Sequence, residues 1–283
     1  VPHRVSHGRL SFQRSGDSTA VLSAYATNPL QILTPRNHGE AAWAYTGTLG
    51  GGFVDGDQIR LELNLETNTR AFISTQGPTR IYRSRADTPG GCASEVFAKI
   101  DAGAALFFLP DPVTCFAGAT FRQHTEIELA ETASVAVWEI LNAGRAAYGK
   151  GERWAFNRYR SSLNIRRNGR ALINDAVLLD PAHGKLSDRL GPFDALATIF
   201  LSGPLLAQSC RALAESIGAH PLAPGAPILS AASPIGPGGS EGLLIRLASR
   251  SADTSMEQLI ATMRAHLAQV PKLLGDNPWA RRH

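Results

Sequence analysis

Asp55 and Asp57 in GGGFVDGD, Glu139 in VAVWEI, Glu152 in YGKGER and Asp175 in LINDAV are the side chains of this sequence best placed to do chemistry. Two carboxylates can act as a general acid and base on a substrate held between them, provided they stand about 5–10 Å apart across an open cleft. Glu139 is the sharpest case, because a carboxylate between Trp138 and Ile140 in so apolar a run is costly unless it is paired or wet. Other chemistries lack their parts. The eight histidines, at positions 3, 7, 38, 124, 183, 220, 266 and 283, form neither His-x-His nor His-Glu-x-x-His, so each reads as structural. Only His3 and His7 are close, in a segment expected to fray. No Gly-x-Ser-x-Gly elbow occurs, and Cys115 lies in an apolar stretch that favours an inert thiol. Aromatic residues are 7% of the chain, few for the stacking platforms of a glycosidase. The chain reads as a non-enzyme with no tightly bound metal.

The glycines of TLGGGFVDGD, residues 48–57, raise the alternative of a phosphate loop. Such a loop needs a helix N-terminus behind it. Here the following residues, QIRLELNLE, place Ile59, Leu61, Leu63 and Leu65 in alternation with Gln58, Arg60, Glu62 and Asn64, the period of a half-buried strand. The glycines lead into a sheet.

Four segments share one pattern of strand, short polar turn and second apolar strand. They are RLELNLETNTRAFIST from Arg60, EVFAKIDAGAALFFLP from Glu95, HTEIELAETASVAVWE from His124 and RSSLNIRRNGRALIND from Arg160. They predict a mainly β fold of stacked antiparallel hairpins in extended sheets, solenoid-like or sandwich-like. Aligned at Leu65, Ile100, Leu129 and Ile165, they bring Thr75, Pro110, Glu139 and Asp175 to one position, so polar groups could converge at a rim or an interior channel. Beyond Pro181, residues 196–203 read as a buried strand. A helix follows from Pro204 to Gly218, and residues 219–242 read as a Pro/Gly-rich loop with at most a short strand near Ile228 and Leu229. LLIRLAS reads as a strand, and a second helix starts at a Thr254–Glu257 capping box and ends at Gly275. We read one domain over 1–283, with a β part over 1–181 and a strand/helix part over 182–283.

With 283 residues, 43% hydrophobic and 18% charged, the chain can bury a sizeable core. The net charge of +4 is spread along strands, with no basic tail, and predicts no nucleic-acid partner. Cys92, Cys115 and Cys210 are odd in number and scattered, which points to a reducing compartment. The first residues are polar and lack the apolar run of about 7–15 residues of a secretory signal, and no stretch approaches the roughly 18 apolar residues of a membrane span. A soluble, cytoplasmic protein is expected, trimmed at an N-terminus that lacks Met.

Ordered blocks resemble the urease accessory protein family UreD, also called UreH. They are GTLGGGFVDGD, STQGPTRIYRS, LFFLPDPVTCFAGATFRQHTEIEL, WEILNAGRAAYGKGERWAF, NGRALINDAVLLDP and LLGDNPW, and they extend over nearly the whole chain. Arg80 stands where the family has Lys, VTC where an aliphatic pair is common, an extra Gly-Lys precedes Glu152, and the end lacks the Pro-Arg-x-Trp close. The resemblance implies a non-enzymatic scaffold that binds apo-urease and the accessory protein UreF, which recruits the GTPase UreG. It also implies transient passage of Ni²⁺ through an internal channel. Borderline divalent ions can step along weakly held carboxylates and water, whereas a closed His/Cys cage would trap them. Carried onto this sequence, Asp57, Glu139, Glu152 and Asp175 become candidate lining carboxylates. Gly51, Gly52 and Gly56 shape the turn that places Asp57, and Gln76, Tyr82 and Arg83 are framework or interface residues. Two alternatives stay open: a hydrolase using Glu139 and Asp175 as acid and base, and an interaction scaffold without ion transfer.

Overall fold

The computed structural model describes residues 5–36, 39–85, 90–146, 148–149, 151–219, 222–223, 225–267, 274 and 278–279; His3 and Gly275 lie outside them. The N-terminal strands are β1 (Val5–Ser15), β2 (Ser18–Ala26), β3 (Leu30–Leu33) and β4 (Ala42–Thr48). The repeats contribute β5 (Gln58–Leu65), β6 (Arg70–Thr75), β7 (Thr79–Ile81), β8 (Cys92–Ile100), β9 (Ala105–Phe108), β10 (Val113–Cys115), β11 (Thr120–Leu129), β12 (Ser134–Asn142), β13 (Arg158–Arg167) and β14 (Arg170–Leu179). The remainder is α1 (Leu186–Leu190), β15 (Ala195–Ser202), α2 (Ala207–Gly218), β16 (Ile228–Ile235), β17 (Gly242–Ser249) and α3 (Ala252–Leu267). One sheet runs β14-β13-β11-β8-β5-β1-β2, and the second runs β16-β17-β15-β12-β9-β6-β4-β3.

The mainly β, stacked architecture is as the alternation predicts, but the pairing within it differs. In the first three repeats the two strands part to opposite sheets and pair in parallel with the neighbouring repeats, as in Gln58 beside Ala93 and Ile73 beside Phe108. The reason lies in the second strands. Ala71 to Ser74 and Val135 to Trp138 are buried on both faces, and strands apolar on both sides need cover on both sides. A hairpin would leave one face wet. Only the fourth repeat folds as an antiparallel hairpin, β13 with β14, where Asn168 and Gly169 both take positive φ (48° and 74°) between the paired Arg167 and Arg170. That is the two-residue turn an Asn-Gly pair favours.

The outer face of the second sheet carries Trp43, Tyr45, Phe72, Phe107 and Trp138, covered by Leu206, Cys210 and Leu213 from the α2 region and by Leu274 and Trp279 near the C-terminus. Between the sheets the apolar packing divides in two along the strands. One cluster holds Leu63, Ile127, Val137 and Leu163; the other holds Ile59, Phe121, Leu141 and Tyr159. The level between them is polar.

Helix α2 occupies the expected span after a 3-10 turn at Pro204–Leu206. Helix α3 begins two residues before Thr254, and Ser251 Oγ accepts the Thr254 N–H at 3.3 Å, so Ser251 and not Thr254 caps it. The stretch read as loop contains a full strand, β16, because β17 pairs with it along its whole length; its Pro234 is tolerated on an edge strand. His7, expected to fray, is held in β1 by its backbone. No helix among the described residues is long and apolar enough to cross a membrane.

Candidate functional site

The polar level is built by inward-facing positions that interrupt the apolar alternation at one height. On β11, Gln123 and Thr125 lie between Phe121 and Ile127; on β13, Ser161 lies between Tyr159 and Leu163; on β12, Glu139 lies between Val137 and Leu141. They form one network. Ser161 Oγ donates to Glu139 Oε2, Thr125 Oγ1 donates to Glu139 Oε1 at 3.4 Å, and Gln123 Nε2 donates to Ser161 Oγ at 3.1 Å. All the donors are neutral. Burial pushes the Glu139 carboxyl above the usual carboxylate range, against the pull of these hydrogen bonds, and the nearby Asp175 pushes the same way.

Glu139 sits deep in the molecule yet keeps accessible surface, because that surface faces two cavities. The first, about 310 Å³, is also lined by Thr46, Thr75, Gln76, Asp111 and Thr125 and extends to Gly51, Gly52 and Arg80. The second, about 320 Å³, is bounded by Tyr159, Ser161, Thr198, Leu222 and Arg246. Among the described residues Glu139 alone lines both. Thr75, Pro110 and Glu139, aligned by the repeats, lie side by side on the first cavity, as the lateral pairing of β6, β9 and β12 requires.

Asp175 does not join them on that sheet, because its repeat folds back as a hairpin. Its carboxylate binds Arg246 Nη2 at the edge of the second cavity. Asp57 and Glu152, carried over as lining groups, line neither cavity. Asp57 Oδ2 accepts the Val54 N–H at 2.8 Å and closes the glycine loop on itself, and burial raises its pKa. Glu152 is gripped by Arg145 through two hydrogen bonds of 2.8 and 2.6 Å, which hold its pKa low, and Arg145 in turn lies over Phe116 and Tyr148. Both acids are engaged in building loops, away from these two cavities.

The glycine loop is shaped as its residues require. Gly51 and Gly56 take φ of 74° and 91°, backbone that favours glycine. Gly52 is there for closeness: a Cβ would meet the Arg80 carbonyl at 2.5 Å, the same carbonyl that accepts the Phe53 N–H at 2.8 Å. Gly52→Ala is therefore expected to destabilise the fold by about 1–3 kcal/mol and to speed amide exchange at Phe53 and Tyr82. Of the framework residues, Gln76 packs against Gly47 and lines the first cavity, Tyr82 stacks edge-on with Phe116 at 5.3 Å, and Arg83 lies over Gly118.

Sequence reasoning missed Asp111, Gln123, Thr125 and Ser161. Asp111 follows the aligned Pro110; its Oδ2 accepts from Thr75 Oγ1 at 3.0 Å, and its own N–H donates to that hydroxyl at 2.8 Å. The signal for the other three was available: a polar residue at the inward register of neighbouring strands, at the same level.

Among the described residues no three His, Cys, Asp or Glu side chains converge as a metal cage. Asp175 is committed to Arg246, which lines the second cavity together with Glu139. The arrangement offers a partly accessible carboxylate, held by neutral donors, on a wall shared by two cavities. A family model described as UreD urease accessory protein matches residues 5–282. The chain is 39% identical to the urease accessory protein UreD of Sorangium cellulosum, over 99% of this chain and 85% of that protein. It is 40% identical to UreD of Anaeromyxobacter sp. strain Fw109-5, over 98% and 90%, and 28% identical to urease accessory protein D of Oryza sativa subsp. indica, over 96% and 94%. The chain belongs to the UreD family of urease accessory proteins.

Proposed function

We propose that this chain is a cytoplasmic scaffold for urease maturation that also conducts Ni²⁺ between a UreF/UreG accessory complex and apo-urease, without a catalytic step of its own. The observation that carries the proposal is the position of Glu139 on the wall common to two cavities, with part of its surface accessible and only neutral donors on its oxygens. Such a carboxylate can lend oxygen to a borderline divalent ion and let it go again, which passage requires and storage does not. The thiols do not compete for the ion. All three cysteines are free and buried, and burial pushes Cys92 and Cys210 up to about 11 and Cys115 higher still, so they stay protonated and uncharged.

The test assembles the chain with UreF and UreG, verifies the complex by size exclusion, and measures Ni²⁺-dependent activation of apo-urease. Glu139→Ala in an intact complex is expected to lose activation; full activation by that variant would leave a scaffold without ion transfer. Glu152, held by Arg145 away from both cavities, provides the contrast. Glu152→Gln is expected to loosen the loop around Arg145, seen as faster amide exchange at Ala117, whose N–H reaches Glu152 at 3.3 Å, while activation stays within about twofold of the parent, a change of roughly 0.4 kcal/mol.

A further inference from the structure

A third cavity, of about 280 Å³, lies on the outer face of the first sheet, lined by Gln58 of β5, Thr120 and Arg122 of β11, and Arg158 and Arg160 of β13. It stands apart from the other two, sharing Phe121 with the first and no lining residue with the second. The three arginines alternate with buried Phe121 and Tyr159, so their side chains leave the sheet on the solvent side. No acidic residue is among those lining the cavity. In the parallel register of β11 with β13, Arg122 stands directly beside Arg160 and Thr120 beside Arg158. Like charges side by side across two strands repel, and the surroundings neutralise them poorly. Arg122 Nη1 is 3.9 Å from Glu95 Oε1, and Arg158 Nε is 3.5 Å from Asp180 Oδ2, while the Asp180 carboxylate also accepts the Ala182 N–H at 2.8 Å. Arg160 has no ion pair or hydrogen bond among the described residues.

We infer that Arg122, Arg158 and Arg160 form a binding site for a phosphate group, carried either by inorganic phosphate or by a small phosphate monoester. A guanidinium presents its N–H groups as a planar fork that matches phosphate oxygens two at a time. Forks from two strands, with the Gln58 amide and the Thr120 hydroxyl as neutral donors, approach from several sides. A tetrahedral ion meets such an arrangement with more oxygens than a flat carboxylate can. The bound anion also offsets the repulsion between Arg122 and Arg160, which the sheet register otherwise leaves in place. The site is independent of the conduit reading, since none of its charged residues lines either of the cavities that Glu139 divides, except that Arg246 and Arg80 play the basic part there.

The experiment titrates the full chain with inorganic phosphate by calorimetry and thermal melts, at an ionic strength held constant with chloride so that general screening does not change. Phosphate is expected to bind saturably and to raise the melting temperature. Arg122→Gln combined with Arg160→Gln is expected to weaken phosphate binding at least about tenfold, and in chloride alone to melt at the parent's temperature or above, because the repulsion is gone. Arg166→Gln, an exposed arginine of β13 outside the cavity, should bind phosphate like the parent. Glycerol phosphate titrated in parallel distinguishes the sources: tighter binding than inorganic phosphate assigns the site to a phosphate monoester, and equal or weaker binding assigns it to the free ion. The inference is overturned if chloride protects as well as phosphate does, if the double variant binds phosphate like the parent, if Arg166→Gln loses as much affinity as the double variant, or if malonate binds more tightly than phosphate.

Discussion

Glu139→Gln is expected to reduce nickel-dependent activation of apo-urease by about 10–100-fold, the loss seen when groups supporting a metal ligand are removed, while the protein melts at the same temperature or higher. The two effects have one origin. Glutamine keeps the shape of the side chain and an oxygen for Ser161 and Thr125 to donate to, but it cannot ionise, so an ion crossing the shared wall meets no charge. The stability change has a definite sign. Burial raises the Glu139 pKa in the fold, so the folded protein holds this proton more tightly than the unfolded chain does. As pH rises through the ordinary glutamate range, about 4.3, toward the raised folded value, the parent loses stability that the glutamine variant keeps. The gap in melting temperature between variant and parent should widen from about pH 5 upward and level off once the folded pKa is passed. A gap that narrows with pH would contradict the raised pKa, and full activation by the variant would contradict the conduit.

Trp279→Ala is expected to destabilise the protein by about 3–5 kcal/mol and to lower the melting temperature by roughly 10 °C. Trp279 is 4% exposed. Its ring meets Phe72 at 5.2 Å and Trp138 at 6.4 Å, and the preceding Pro278 carbonyl accepts from the Tyr45 hydroxyl. The cavity left by alanine would open beside Trp138, whose Nε1–H donates to the Pro110 carbonyl at 2.6 Å on the first cavity. Loss of the C-terminal tryptophan should therefore lower both stability and activation. Trp279→Phe, which refills much of the space, should recover most of the melting temperature. A thermal melt of the two variants decides it; a change below about 1 kcal/mol for alanine would mean that this face closes without the tryptophan.

Much of this was legible from local pattern. The period of two in QIRLELNLE, the Asn168-Gly169 turn and the proline-led start of the α2 segment each have a mechanism that acts within a few residues, and each holds in the structure. What escaped depends on long-range partners. Nothing local says that the strand after ETNT joins the other sheet, since its own residues are equally apolar in either position; the burial of both faces of β6 and β12 decides it. Glu139 was readable because a carboxylate in VAVWEI is costly. The hydrogen bonds of Asp57 with the Val54 N–H and of Glu152 with Arg145 were not legible from local pattern, and the pairing of Asp175 with Arg246 joins residues that only tertiary folding brings together.

The lateral parallel pairing has a kinetic cost as well. Gln58 must find Ala93, and Ala93 must find Arg122, so each new layer closes a long loop before any hydrogen bond rewards it. Strand edges therefore stay open for a long time in the newly made chain, and open edges recruit other chains. Yield from a cell should depend on expression speed and temperature far more than the melting point of the finished protein would indicate, and slow synthesis, which lets one layer set before the next emerges, should recover soluble material even when the sequence is unchanged.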